Sequence, residues 1–369
     1  MTGILEHRSK AATLYIITAM AAIIALSACD TGQPDMPADD NEVMLTLRLS
    51  LPETERDAAT RAITSVEENA IDIAQLKVLV FKAVGTTETF SYEAPQVLLQ
   101  GGKYMVTLKQ SRAGEKYRLV VIANAGKKLP IIPENTSKND ALKMITFGAG
   151  GKWNATGTTN YTRFPMWGET AAAQVISSAT SLGTITLLRA LARIDVGCAL
   201  SGETAAGVNG FTLTSASIYR TKNKGYVAPV NGGTITGNVV ANVSIPPDAG
   251  TNGALTYTCT DGKSLIRTIY VAETPQGSNK DNNVCLVVGG TYAGSTNYYR
   301  VDLTANGNYI PIKRNCRYIV NIKAVSNAGY ATEADALTGN KTLVIAASVS
   351  AEAWGGETAA GSGGTITLP

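Results

Sequence analysis

The chain has 369 residues, of which 44% are hydrophobic and 17% are charged, and its formal net charge is +3. From residue 62 onwards 27 basic and 20 acidic side chains remain. These charges are spread along the chain instead of being clustered, so a nucleic-acid-binding patch is not indicated.

The first 28 residues have the pattern of a lipoprotein signal peptide. Arg8 and Lys10 form a short basic region, residues 11–25 are almost wholly apolar, and the quartet Leu-Ser-Ala-Cys ends at Cys29. We expect the Cys29 thiol to be acylated, for instance with palmitate. The apolar run is shorter than the ~20 residues that a membrane-spanning helix needs. Acyl chains would therefore hold the protein to the membrane.

A polar tether and then a strand follow the predicted lipid site. Residues 30–42 are rich in Asp, Pro, Gly and Asn, and such a segment cannot bury enough apolar surface to offset its ordering entropy. Residues 43–51 alternate with period two, which predicts a half-buried strand that ends before Pro52. The shared face of this strand consists of Val43, Leu45, Leu47, Leu49 and Leu51. Residues 53–61 are charged and small, which is typical of an exposed stretch open to proteases.

The ~330 residues that follow the tether are long enough for two domains of ordinary size. They are rich in Thr, Val, Ile, Tyr and Gly and lack long helical periodicity, which predicts an all-β chain. We predict irregular structure over 126–180, and strands at 76–82, 104–108, 118–123, 183–188, 192–198, 234–243, 266–271, 284–288, 298–303 and 318–325. Turn signals at this spacing favour β-sandwiches with a domain junction near Leu188.

Four cysteines remain beyond Cys29, namely Cys198, Cys259, Cys285 and Cys316. An exported protein could pair them, and the sequence leaves their connectivity open. The alternative is that they are buried free thiols, which behave as small apolar residues. No two of them form a Cys-x-x-Cys motif, so a zinc site has no support.

Catalysis by histidine is excluded after export, because the single histidine is His7, inside the predicted signal peptide. This removes Ser-His-Asp and Cys-His arrangements and the histidine-based zinc motif of metalloproteases. Glycoside hydrolysis needs only two carboxylates at a set separation, which a sequence cannot show. Carboxylates are sparse outside the tether, so we predict that the chain is not an enzyme and has no cofactor or metal.

Several motifs follow the predicted lipobox in a particular order. They are residues 68–71 leading into 76–81, the strand 117–124 ending in Ala-Asn, Phe-Pro-Met-Trp-Gly at 164–168, residues 188–194, and Tyr298-Tyr299 followed by residues 314–318. In this order they resemble the fimbrillin or major fimbrial subunit family of Bacteroidales, which forms type V pili. Cys316 departs from the family pattern, since a polar or basic residue is expected there.

The resemblance implies two transthyretin-like (Ig-like) β-sandwich domains in tandem. The segments implied are a signal peptide at 1–28, a tether with a removable strand at 29–61, an N-terminal domain at 62–187, a C-terminal domain at 188–340 and a donor-strand segment at 341–369.

The resemblance also implies the function of a pilin, the structural subunit of a surface fimbria that supports adhesion or biofilm formation. The precursor would reach the outer membrane as a lipoprotein, where an arginine-specific protease would cut it. We favour cleavage after Arg61 over Arg56, because the mature-like sequence begins just beyond Arg61. Loss of the first strand would open a groove that a neighbouring subunit fills, so the partners are other copies of the chain and related fimbrial subunits.

The C-terminal segment is the predicted donor. Its apolar positions are Leu343, Ile345, Ala347, Val349, Ile366 and Leu368. The alternative is that these residues form the last strand of their own domain, because the sequence pattern is the same.

Other roles also remain open. A tip or anchor subunit would lack one of the two exchangeable strands or would keep its lipid. A carbohydrate-binding surface lipoprotein could stack Trp153, Trp167 and Trp354 on sugar rings, although core packing is the commoner use of tryptophan.

Overall fold

The strands of the chain assemble mainly into four sheets of four or five strands. The computed structural model describes residues 41–52, 68–154, 162–231, 235–339 and 345–354. The first elements are β1 (Glu42–Ser50), β2 (Lys77–Val84), β3 (Thr87–Glu93), β4 (Val97–Gln100), β5 (Lys103–Lys109), β6 (Lys116–Ala123), α1 (Lys138–Lys143), β7 (Thr146–Gly148), β8 (Met166–Glu169), β9 (Thr184–Thr186) and β10 (Leu188–Arg189).

The second half of the chain is also built from strands. Its elements are β11 (Leu191–Cys198), β12 (Leu200–Ser201), β13 (Thr204–Ala205), β14 (Phe211–Tyr219), β15 (Lys224–Tyr226), β16 (Ile235–Thr236), β17 (Val239–Val240), β18 (Leu255–Thr258), β19 (Ser264–Ala272), β20 (Cys285–Tyr292), β21 (Ser295–Asp302), β22 (Thr304–Ala305), β23 (Asn308–Tyr309), β24 (Cys316–Val325), α2 (Glu333–Thr338) and β25 (Ile345–Ala353). Neither α1 nor α2 exceeds six residues, and no helix of the described ranges could cross a membrane.

Four sheets carry the fold. Sheet I has the strand order β4-β5-β1-β9, and sheet II has β10-β8-β6-β2-β3. Sheet III has the order β19-β11-β24-β25, and sheet IV has β18-β14-β20-β21. Short two-stranded ladders join β12 to β13, β7 to β15, β16 to β17 and β22 to β23.

Two hydrophobic cores lie between these sheets. The first core takes Leu45 and Val106 from sheet I and Ile122 from sheet II. The second takes Ile194 from sheet III and Leu286 from sheet IV. Strands that bury one face against a partner sheet produce this layered arrangement, because alternate side chains point to opposite faces. The predicted all-β sandwich fold is confirmed.

The two cores meet within β11, because Leu191 belongs to the first core and Ala192 to the second. The second half of the chain also reaches back, since Val227, Tyr270 and Trp354 pack in the first core. Segments of both halves therefore enclose the first core. The division into domains at 187 and 188 stays a prediction.

The predicted irregular stretch over 126–180 was wrong in part, because it contains α1, β7 and β8. Helix α1 is too short to show helical periodicity, and its N-terminus is set by Ser137, whose hydroxyl accepts a hydrogen bond from the Asp140 amide. Strand β8 contributes three successive buried residues, so it shows no alternation. Sequence reasoning also missed β3, β4, β14 and β18.

The long strand predicted over 234–243 was wrong, since this region forms the hairpin of β16 and β17. Gly237 and Asn238 lie between the two short strands with φ of 54° and 65°. Two successive residues with positive φ make the tight turn that reverses a two-stranded ribbon. The other predicted strands overlap observed ones, with ends displaced by a few residues.

Candidate functional site

Strand β1, which contains the residues predicted to be removable, is built into sheet I. Its residues 42–47 pair antiparallel with β5, and residues 48–50 pair in parallel with β9. The side chains of Val43, Leu45 and Leu47 are 7%, 5% and 2% exposed. Leu49 and Leu51 are partly buried against the same core. The alternation expected of this strand is therefore present, with its apolar face on the first core.

The chain that follows the predicted cleavage stretch is held by sheet III at Glu68. Cys29, Arg56 and Arg61 lie outside the described residues. Glu68 is fully buried, and its carboxylate accepts hydrogen bonds from the Tyr270 hydroxyl at 2.6 Å and from the Arg267 guanidinium. Sheet III thus holds a residue only seven positions beyond Arg61.

Glu68 belongs to a group of charged residues, most of them buried, that we name the junction network. Its members are Glu68, Arg189, Arg193, Asp195, Glu203, Arg267, Arg317 and Glu352. Four guanidinium groups and four carboxylates balance one another, which is the condition under which charges persist in an interior. The network contains one residue that follows the predicted cleavage stretch and one residue of β25.

Asp195 is the central carboxylate of this network. Its oxygens lie 2.7 Å from a guanidinium nitrogen of Arg193 and 2.7 Å from Nε of Arg317, and the Arg267 amide donates a hydrogen bond at 2.9 Å. Burial acts to raise the pKa of Asp195, but the two guanidinium groups and this amide outweigh burial and hold the pKa below its ordinary value. Asp195 is therefore ionised at neutral pH.

Arg189 joins four separate segments at one end of this network. It is fully buried, and burial lowers its pKa to about 10, so it is charged at neutral pH. Its acceptors are the carbonyl oxygens of Pro52, Glu68 and Trp354 at 3.5, 3.3 and 3.3 Å and the amide oxygens of Asn315, at 3.2 Å, and of Asn69. The guanidinium carbon also lies 4.4 Å from the centre of the Trp354 ring, a cation–π geometry.

Strand β25 contains part of the predicted donor segment and forms an edge of sheet III. It pairs antiparallel with β24 from Ile345 to Ala353. Ile345, Ala347 and Val349 are partly buried against the second core, whereas Leu343, Ile366 and Leu368 lie outside the described residues. This is the arrangement of the alternative interpretation, in which these residues are the last strand of their own sheet.

The four cysteines are free and buried. Burial raises the pKa of Cys198 and of Cys316 to about 12, so both are protonated thiols at neutral pH. Cys316 is 1% exposed and packs in the second core. Its departure from the family pattern is therefore explained by its place among apolar side chains.

The remaining candidate chemistry is limited in the part of the chain that the structure describes. Within these ranges no three His, Cys, Asp or Glu side chains converge where they could hold a metal ion. Trp167 and Trp354 are 6% and 1% exposed and belong to the first core. Trp153 is partly buried and stacks on Phe164. The three tryptophans thus take the packing role.

A sequence model of the fimbrillin-A associated anchor proteins Mfa1 and Mfa2 matches residues 37–353. The chain belongs to this family. No curated protein matches the chain. Membership in the anchor protein family confirms the resemblance to fimbrial proteins that the motifs indicated. It associates the chain with other fimbrial subunits and with the cell surface, and it agrees with the prediction of a structural protein instead of an enzyme.

Two solved structures of fimbrial or adhesion proteins have limited similarity to this chain. A protein of Parabacteroides distasonis named for a proposed role in cell adhesion has 15% identity and a TM-score of 0.49, over 85% of this chain and 98% of that one. The tip fimbrial protein Mfa3 of Porphyromonas gingivalis, truncated at its C-terminus, has 14% identity and a TM-score of 0.49, over 85% of this chain and 100% of that one. Because both TM-scores are below 0.5, the family assignment rests on the sequence match alone.

Proposed function

We propose that this member of the anchor protein family is a structural subunit of a surface fimbria. It is exported as an outer-membrane lipoprotein acylated at Cys29, cut after Arg61, and assembled when a strand of another subunit replaces β1. The observation that carries this proposal is the position of β1, which lies in sheet I with one apolar face buried in the first core and is followed by the arginine-containing stretch at 53–61.

Loss of β1 would leave a groove of defined shape. Strand β5 would lose its pairing with residues 42–47, and β9 would lose its pairing with residues 48–50. Unpaired backbone groups at such an edge bind another extended chain. The side chains of Val106, Leu108 and Ile185 would lose their cover, so an incoming strand with apolar residues at every second position fits best.

The donor is the C-terminal segment 341–369 of a second copy or of a related subunit. In β25 the inward side chains Ile345, Ala347 and Val349 are only partly buried. Moving them into a groove that buries them fully is favourable by about 25 cal/mol for each Å² of apolar surface removed from water. Donation requires β25 to leave β24, and the more distal Ile366 and Leu368 would extend the contact.

An anchor that keeps both its lipid and β1 is the second candidate. The family description favours it, since the matching model is named for anchor proteins. In that case a neighbouring subunit would bind through another edge, and the acylated Cys29 would attach the fimbria to the outer membrane.

N-terminal sequencing of protein sheared from the cell surface distinguishes the two candidates. Polymeric material that begins at Ala62 supports the pilin, whereas intact material acylated at Cys29 supports the anchor. Arg61→Ala should abolish polymers if cleavage drives assembly, and Arg56→Ala is the matched control that should leave them unchanged. Polymers that retain β1 after shearing would contradict strand replacement.

The donor segment is tested by two changes made separately. A chain shortened to residue 354 keeps β25, and Ile345→Lys with Val349→Lys keeps the full length while placing charges on the strand. Electron microscopy should show loss of polymers in at least one of the two. Normal polymers from both variants would contradict donation by residues 341–369.

A further inference from the structure

We propose that Arg189 couples the two terminal strands, so that β25 is held in place while β1 is present and is loosened when β1 is removed. This inference rests on the proposed function, because it assumes that β1 is separated by cleavage. It assigns to Arg189 a positioning role that acts through the end of β25.

Besides Asn315, three segments from near the two ends of the chain meet at this one side chain. The carbonyl of Pro52 follows β1, Glu68 and Asn69 follow the predicted cleavage stretch, and the carbonyl of Trp354 directly follows β25. Arg189 is itself fully buried. A guanidinium presents five N–H donors in a fixed plane, so it can bind several carbonyl groups at once.

Cleavage after Arg61 would affect these partners unequally. It would separate Pro52 from the chain and leave Glu68 and Asn69 attached. Because Pro52 is buried, its departure with β1 would open the site of Arg189 to water. Hydrogen bonds and cation–π contacts of a charged group are weaker when water competes for it. The contacts from Arg189 to Trp354 would therefore weaken.

The weakened contact matters more to β25 than to the other partners. Glu68 remains held by Arg267 and Tyr270, and Asn315 remains anchored because its backbone amide donates to the Leu191 carbonyl. Strand β25 has a backbone partner on one side only, and its inward side chains Ile345, Ala347 and Val349 are only partly buried. An edge strand of this kind depends on the anchoring of its end.

Hydrogen exchange followed by mass spectrometry on the full chain tests the coupling. The protein is compared before and after treatment with an arginine-specific protease, and release of the N-terminal fragment is measured in the same samples. After release, amides of residues 345–354 should exchange about tenfold faster, the change expected from loss of one charge-assisted hydrogen bond. Amides of β20, in sheet IV, should not change.

Arg189→Lys keeps the charge but cannot bind the same set of acceptors. In this variant we expect residues 345–354 to exchange about tenfold faster before any cleavage, with little further change afterwards. The matched control is Arg314→Lys. Arg314 is 1% exposed and donates to the carbonyls of Tyr226 and Val227, but it contacts neither terminal strand, so cleavage should still accelerate exchange in β25.

Three results would overturn the inference. The first is unchanged exchange of residues 345–354 in the wild type after the fragment is released, which needs no variant to fold. The second is equal acceleration on cleavage in the wild type and Arg189→Lys, and the third is the same loss of coupling in Arg314→Lys. Polymers that form without acceleration would contradict only the coupling. A precursor that the protease does not cut at Arg56 or Arg61 would contradict the proposed function as well.

Discussion

Strands β1 and β25 stand near opposite ends of the chain and are held by different forces. Both have nine residues, and each is paired through its backbone along its length. Strand β1 buries Val43, Leu45 and Leu47 almost completely, whereas the corresponding positions of β25 are partly buried. Strand β25 relies more on pairing with β24, on polar contacts near its end and on Trp354, which directly follows it and packs in the first core. Apolar burial is therefore the main force that holds β1, while β25 can be loosened by a change in its polar contacts.

The largest decrease in the free energy of unfolding is expected when the buried ion pairs of the junction network are broken. Asp195→Asn leaves Arg193 and Arg317 buried without their shared carboxylate, so we expect the free energy of unfolding to fall by about 3–5 kcal/mol. Urea unfolding measures the change. Asp281→Asn is the control, because the Asp281 side chain is 60% exposed, and such surface ion pairs contribute little to stability. A loss below the control value would show that the junction network does not stabilise sheet III.

The contribution of Asp195 depends on pH in a defined direction. Its pKa in the folded protein is below the ordinary value of 3.8, so its stabilising contribution is complete above that value and is lost as the pH falls through the folded-state pKa. The difference in unfolding free energy between the wild type and Asp195→Asn should therefore be constant near neutral pH and shrink below pH 3.8. A difference that grows on acidification would contradict the lowered pKa.

Matched side-chain truncations in β1 and β25 test how much apolar burial stabilises each strand. Leu47→Ala in β1 should lower the free energy of unfolding by about 3 kcal/mol, because it leaves a cavity in the first core. Ile345→Ala in β25 should lower it by about 1 kcal/mol, since a partly buried side chain loses less apolar contact. Both are measured by urea unfolding of the uncut chain. Equal losses would mean that the two strands are held alike.

The smallest decrease in stability is expected when the polar contact between Glu352 of β25 and Arg317 of β24 is weakened. Glu352 accepts a hydrogen bond from Arg317 at 2.9 Å, and its side chain is 26% exposed. Glu352→Gln should therefore cost about 0.5–1 kcal/mol, the range of a partly exposed ion pair. Hydrogen exchange should become faster in residues 345–354 and stay unchanged in β1. Faster exchange in both strands would indicate a general loss of stability.

Local sequence patterns predicted the strands that have one buried face and one exposed face. Strand β1 was predicted because apolar residues occupy every second position, which only an extended chain places on one face. Strand β14 was missed because Thr and Ser fill much of it, and its burial comes from neighbouring strands. The junction network was also missed. Arg189 and Arg193 stand in a stretch of otherwise apolar residues, a signal that the charges had buried partners, but the sequence does not say which carboxylates and carbonyls supply them.

The sequence alone determined that this protein is built from strands, that residues 43–51 bury one face, and that its motifs resemble those of fimbrial proteins. These properties follow from local periodicity and from motif order. Only the tertiary structure decided that β1 lies between β5 and β9, that β25 lies at an edge, and that both strands end at Arg189. The contacts of Arg189 join residues at least 120 positions apart, and the pairing of distant strands that creates them has no counterpart in any local pattern.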